Sequence, residues 1–525
     1  MVEPGRRRGR PQRLPDDPIP LSSRDLTVEH RVSWLLATTR ILHPDEKLRD
    51  RNGFSAAATD LGLRIDSSRV SRWETGTTPA SREVIGAYEA VLGRPPGSLS
   101  SVVDGLRRSF TDVPPRPPRD DEESPRSPDR LLEDALAGEP MAGVHWQELT
   151  GRLTAYSAFY LRRPEWGALA GRLVAELSRS TGLAYVRRYE AGARLIRHHS
   201  AQRHLSRALG RFVMDPDAQV VLPVLQLLTE VDDAAAGALV MRMMGDDNKA
   251  LRRAASSVAA TKLRKGVLPE AGMRQLEAYA ASTLRQGEPL DGGLDAFDLA
   301  MQLPSASFQS VLERIPDRRV QAQLGRSRST GELIPRLQAA AVVADLAAAV
   351  QADETDVRRH PEPDMMLRRL LREALFHMHK SRRHQAALLL ASSPYRHAVS
   401  RQCHDLVGGS NYFLAARAWV VLMRVGHAGR RSEVLLRAMS ESRPTLRSRA
   451  LINMGLDETA LSEREAQALV ASVAPTERGS VRHGLFFALG MSGSDLLVEL
   501  TDHESDSFRS SAQWWRSLGP AIHEL

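Results

Sequence analysis

The sequence predicts an all-α protein with an N-terminal bundle of short helices, a proline-rich linker and a large C-terminal array of helical repeats. Three observations carry this. Apolar residues recur at helical spacing along most of the chain, and period-two runs of β-branched and aromatic residues are scarce. Toward the C-terminus a short Arg-containing segment ending in Gly also returns four times, as NYFLAARAWVVLMRVG, TLRSRALINMG, SVRHGLFFALG and SFRSSAQWWRSLG. Its closing glycines, Gly426, Gly455, Gly490 and Gly519, stand 29, 35 and 29 residues apart by position. That is the period of helix pairs, which must stack on neighbours to bury their apolar faces.

Taken in order, residues 1–20 form a basic arm, whose first 14 residues set Arg6, Arg7, Arg8, Arg10 and Arg13 against Glu3 alone. Residues 21–110 form the bundle. Val28 to Leu42 reads as an amphipathic helix that Thr27 can cap, and short helices follow at Phe54 to Leu61, Ser67 to Glu74 and Ser81 to Leu92. Gly62, Gly76 with Pro79, and Gly93 with Pro95 and Pro96 punctuate them. HPDEKLRDRNG reads as an extended connection. Residues 111–130, TDVPPRPPRDDEESPRSPDR, have mixed charge and no apolar periodicity, which makes them a semi-extended linker. Residues 131–215 are helical without a clear repeat and form either a small bundle or the start of the array, and 216–525 form the array. In DDNKALRRAASSVAA, Asp246 and Asp247 are placed in a turn where they would cap the next helix.

Composition narrows the function classes. With 42% hydrophobic and 26% charged residues among 525, the chain is globular. The single Cys403 excludes an internal disulfide and a Cys-based zinc finger, and fits a reducing, cytoplasmic compartment. The start GRRRGRPQRLPDDPIP lacks the apolar run of a secretory signal. AAAVVADLAAAV is interrupted by Asp345 and is too short to span a bilayer. Only five of the 72 basic residues are lysines, so the formal charge of +8 owes much to Arg-rich composition. Its distribution is more telling, because the arm is positive whereas residues 15–110 are balanced.

The stretch from Gly53 to Gly93 carries the clearest chemistry. Ala58, Leu61, Val70 and Trp73 give two short helices an apolar seam each, Asp66 can cap the second, and Gly76 suits its left-handed stop. Leu61-Gly62, Leu63, Asp66, Val70, Trp73-Glu74-Thr75-Gly76, Pro79 and Leu92-Gly93 resemble, in order, the phage-repressor/Cro type helix-turn-helix of the xenobiotic-response-element family. The resemblance covers about 80 residues. It implies that Ser67, Ser68 and Arg72 read base edges, with Arg72 bidentate to guanine, and that Arg69 contacts base or phosphate. Two departures stand out: Gly62 to Gly76 is two residues longer than the family's usual spacing, and Ala57 stands where Leu is common. Arg8-Gly9-Arg10-Pro11 looks like an AT-hook core, which implies that Arg8 and Arg10 enter a minor groove. The C-terminal segments resemble HEAT repeats.

Other constellations are weaker. His377 and His384 share a helical face, but His379 points away, so no face presents a metal site. Cys403 suits a buried apolar position, and Trp514-Trp515 suit core packing or a cap on the array. No Walker A loop, GxGxxG, HExxH or GxSxG is present, so no enzyme, cofactor or metal is expected. The expected function is a bacterial transcription regulator that binds double-stranded DNA as a homodimer, its repeats serving dimerisation, sensing or a protein or peptide partner. The alternatives are a helical-repeat scaffold or adaptor with an accessory DNA-binding head and, further off, a HEAT-like DNA glycosylase.

Overall fold

The computed structural model describes residues 13–111, 127–138, 140–268, 272–286, 293–353, 362–474 and 476–524. The expected arm and linker fall largely outside this set. The fold is all-α, with 29 α-helices and no strand among the described residues. No helix there is long and apolar enough to cross a membrane.

The first six helices are α1 (Val28–Ile41), α2 (Glu46–Arg49), α3 (Arg51–Asp60), α4 (Ser67–Glu74), α5 (Arg82–Val91) and α6 (Ser100–Phe110). Next come α7 (Pro128–Leu136), α8 (Gly143–Ala155), α9 (Arg163–Ser178), α10 (Gly182–Arg197) and α11 (His199–Val213). The middle of the chain holds α12 (Leu222–Leu225), α13 (Ala234–Met244), α14 (Lys249–Arg264), α15 (Met273–Arg285), α16 (Leu294–Gln302), α17 (Ser305–Glu313) and α18 (Arg318–Thr330). The rest comprises α19 (Arg336–Ala352), α20 (Met365–Phe376), α21 (Lys380–Ser392), α22 (Arg396–Gly408), α23 (Tyr412–Val425), α24 (Arg431–Ser440), α25 (Pro444–Leu456), α26 (Glu463–Ser472), α27 (Gly479–Ser492), α28 (Leu496–Glu499) and α29 (Asp506–Leu518).

The four repeats read from the sequence are α23, α25, α27 and α29, and each packs on the next in one continuous row. The intervening helices α24, α26 and α28 form a second row. Polar side chains stitch the first row together and tie it to α20: Asn453 Nδ2 donates to the Trp419 carbonyl (3.3 Å), Arg449 donates to that of Ala416, and Arg417 Nε donates to that of Leu375 on α20 (3.0 Å). Two of the four glycines differ from expectation. Gly455 and Gly490 do not stop their helices, which run on to Leu456 and Ser492. They are points of close approach instead, since a Cβ on Gly455 would meet the Phe487 ring at 2.8 Å and one on Gly490 would run into the Trp515 ring.

Caps follow local chemistry with two differences. Asn248, not Asp246 or Asp247, caps α14 by accepting from Ala250 N (2.9 Å). The Thr27 side chain makes no cap bond on α1, and its backbone N–H donates to Asp17 (3.3 Å). The connection expected to be extended contains α2 and the first turn of α3.

The core is divided in a way the sequence does not suggest. One apolar cluster runs through Leu131 to Leu333, across the expected boundary at 215/216. The other joins Leu26 to Leu106 with Ile334 to Trp515, so the N-terminal helices share a core with the last third of the chain. The junction is polar as well as apolar. Arg31, fully buried, donates to Asp17 Oδ2 (2.7 Å) and through both terminal nitrogens to Glu373 on α20 (2.7 Å each). Trp34 donates to Asp364 (2.8 Å), and its ring stacks on that of Tyr395 at 6.4 Å. These contacts explain why α1 is buried on nearly every side instead of along one seam. At the other end, Trp514 packs on Phe212 of α11 (5.9 Å), and Glu524 accepts from Arg188 of α10 (3.0 Å).

Candidate nucleic-acid interface

The candidate interface is built on α3 and α4. Asp50 caps α3 by accepting from Asn52 N (2.9 Å), and the chain leaves that helix through Gly62 at φ +76°. Two apolar side chains in the long turn, Leu63 and Ile65, pack against the core, and Leu63 N donates back to the Ala58 carbonyl (2.9 Å). The turn is therefore fastened to the core at Leu63 and Ile65. Ala57 also packs against the core. Asp66 caps α4 by accepting from Arg69 N (2.8 Å). Gly76 follows at φ +76°, where a Cβ would also press on His30 at 3.0 Å, so both the backbone and the space favour glycine.

The inner face of α4 is locked. Val70 and Glu74 are fully buried and Trp73 nearly so. The Glu74 carboxylate accepts from Arg40 Nε (2.5 Å) and Nη2 (2.7 Å), from the Tyr88 hydroxyl (3.1 Å) and, more loosely, from Arg51 Nε (3.4 Å). One carboxylate thus ties α4 to α1, α3 and α5. Burial and the facing Glu74 carboxylate raise the Tyr88 phenol well above its ordinary value, so it stays a proton donor. The Glu74–Arg40 pair is the feature sequence reasoning missed. The Trp-Glu-Thr-Gly pattern marks Glu74, but nothing local marks Arg40 as its partner.

The outer face is open. Ser68, Arg69 and Arg72 are exposed and Ser67 is half-buried, so the four residues lie together along α4. Arg69 leans on the cap residue Asp66 at 3.6 Å and donates to the Arg64 carbonyl (3.4 Å). The side chains of Arg72 and neighbouring exposed Arg64 have no hydrogen-bond or ion-pair partner among the described residues. Arg8 and Arg10 lie outside those residues.

The histidines and Cys403 take up structural positions. His377 is fully buried, its Nε2 bonded to the Leu21 carbonyl (3.0 Å), while His379 faces Gln302 (2.5 Å) and Asp298 (3.8 Å). Burial, then the Asp405 charge, pushes the Cys403 thiol up to about 12, which removes thiolate chemistry at neutral pH. Trp515 is buried beneath Gly490 in the core.

No family model matches the chain, and no curated protein does. Among solved structures the crystal structure of Kap121p is similar at a TM-score of 0.25 and 11% identity, over 94% of this chain and 49% of that one. The chain thus spans about half the length of that protein.

Proposed function

We propose that this chain is a helical-repeat scaffold that contacts double-stranded DNA through α4 and offers its repeat surface to a protein or peptide partner. The observation that carries the DNA contact is the contrast between the two faces of α4. The inner face is fixed by Val70, Trp73 and the Glu74 node, while the outer face presents an unpaired guanidinium. A short helix held this way enters a major groove with little reorganisation, and Arg72 has the fork geometry that suits O6 and N7 of guanine. The core shared between the N-terminal helices and the last third of the chain favours a scaffold over a reader on a tether.

A second reading, a sequence-specific transcription regulator acting as a homodimer on inverted half-sites, is favoured by the same free Arg72. Both are tested by selecting duplexes from a random library with the full chain and measuring affinity against salt. A regulator enriches one motif, and Arg72→Ala weakens the selected site about 5- to 150-fold while random duplex changes little. A scaffold enriches at most the short guanine-containing step that Arg72 meets, with no inverted repeat, and its affinity falls steeply with salt. Failure of the wild type to bind any duplex at low salt overturns both.

A further inference from the structure

A second charged surface lies on α11, whose apolar side packs into a different core cluster from that of α4. Arg203, Arg207 and Arg211 recur every fourth residue, all exposed. This spacing places them on one face, about 6 Å apart along the axis. None has a hydrogen-bond or ion-pair partner among the described residues, and α11 contains no acidic residue. The row is mutually repulsive in the free chain, unlike the many arginines elsewhere that are paired with carboxylates.

The surroundings extend this row. α9 packs beside α11 and exposes Arg163, Gly167 and Gly171 at the same four-residue spacing. A Cβ at either glycine would meet nothing within 4 Å, so no side chain stands over that strip. The two helices meet where His204 stacks on Trp166, rings 4.9 Å apart and nearly parallel. Burial and then the charges of Arg207, Arg203 and Arg163 lower the basicity of His204, in keeping with three guanidinium groups gathered around it. Before α9, Tyr156 is 63% and Tyr160 93% exposed. Their loop is nonetheless pinned, since the Tyr156 carbonyl bonds to His198 Nε2 (2.9 Å) and Phe159 packs on Trp166 (5.3 Å) and His198 (4.9 Å).

Unpaired arginines in a row beside solvent-facing aromatic rings suit a strand whose phosphates and unstacked bases are both accessible. We propose that the face formed by Arg163, Arg203, Arg207 and Arg211 with Tyr156 and Tyr160 binds single-stranded DNA. The arginines hold phosphates and the tyrosines stack on bases. The site is distinct from α4 and does not require α4 to read a duplex.

The test is fluorescence anisotropy of the full chain with an oligo(dT) of about 20 nucleotides across a salt series. Each lost phosphate contact lowers the slope of log affinity against log salt by about 0.7, so Arg203→Gln/Arg207→Gln/Arg211→Gln lowers it by about 2. The matching Arg→Lys triple variant keeps the charge and retains most of the slope. Tyr156→Ala/Tyr160→Ala weakens binding by about tenfold or more with the slope unchanged. Circular dichroism checks that every variant keeps its helices. The proposal is overturned if the wild type does not bind oligo(dT) at low salt, if the Gln triple variant binds with the wild-type slope, or if the tyrosine variant binds as tightly as wild type. Loss of oligo(dT) binding in Arg72→Ala with the Gln triple variant unaffected also overturns it, by moving the strand to α4. Loss of duplex binding in Arg72→Ala with oligo(dT) binding intact leaves it standing.

Discussion

Replacing Glu373 by Gln tests whether the N-terminal helices are part of one body with the repeats. Glu373 sits on α20 with no exposed surface, and its oxygens accept from Arg31 (2.7 Å twice), Arg382 (2.7 Å) and Arg369 (3.0 Å). Burial alone would raise its pKa, but the Arg31 and Arg382 guanidinium groups outweigh burial and hold the carboxyl well below the usual range. Gln keeps the shape and one acceptor, but turns an amide N–H toward an arginine N–H and removes the charge. Breaking a buried ion pair from one side costs about 3 to 5 kcal/mol, and the lower end applies here, because Arg31 keeps Asp17 while Arg382 loses its carboxylate. At 1.4 kcal/mol per tenfold, that is a rise of at least about 100-fold in opening of the junction. Amide hydrogen exchange of the full chain reads this locally. The expected result is faster exchange in α20 and α21 and, equally, in α1, some 340 positions away in sequence. Unchanged protection of α1 in Glu373→Gln would refute the claim that Arg31 and Glu373 join the two regions.

Other consequences follow from the same structure. Glu74→Gln takes the carboxylate from Arg40 at a cost of about 3 to 5 kcal/mol; exchange in α4 should rise and duplex affinity fall, although Glu74 has no exposed atom, and retained affinity would count against a preset α4. Gly490→Ala drives a methyl into the Trp515 ring and should lower stability by about 1 to 3 kcal/mol. Gly325→Ala, on open α18 surface, should raise stability by about 0.5 to 1 kcal/mol, and thermal midpoints compare the two. Burial, with His427 and Arg430 nearby, holds His404 down at about 4. An imidazole with a folded value below its unfolded 6.5 gains a proton on unfolding, so its contribution is complete above pH 6.5 and is lost toward pH 4, at about 1.4 kcal/mol per unit. Denaturant midpoints at pH 7 and pH 5 should therefore differ less in His404→Gln than in wild type, and an equal difference would sink the assignment.

Local signals were legible in the sequence and distant ones were not. The bounds of α4, its Asp66 cap and the left-handed Gly76 depend on neighbours within a few residues, and each was readable from spacing. The row α23, α25, α27 and α29 was visible because stacked repeats impose a period on the sequence. The function of Gly455 and Gly490 was not, since a helix-stopping glycine and a glycine that admits a neighbouring ring look identical in one dimension. The core pairing was hidden for a different reason. In a chain this rich in arginine, Arg31 and Glu373 are indistinguishable from surface charges until folding brings them together. The open face of α11 shows the same ambiguity in reverse, because its three arginines read as an ordinary solvated helix until the surrounding structure leaves them without partners.

The two buried ionic nodes suggest how the chain couples its parts. Arg31 and Arg40 lie nine residues apart on α1, which at 100° per residue puts them on opposite sides of the helix, about 14 Å apart along the axis. Arg31 engages Glu373 of α20, and Arg40 engages Glu74 of α4. An amphipathic surface helix would have left one of these arginines in water. Here α1 acts as a strut with a charge-assisted clamp on each side, and such clamps tolerate little sliding, because each guanidinium makes two directed bonds to its carboxylate. The orientation of α4 is then set by where α20 sits, with no hinge between them in the bonded path. A partner that reshapes the repeats around α20 must move α4 with them or break a clamp. Under the proposed function, occupancy of the repeats and engagement of DNA are accordingly linked by rigid-body geometry.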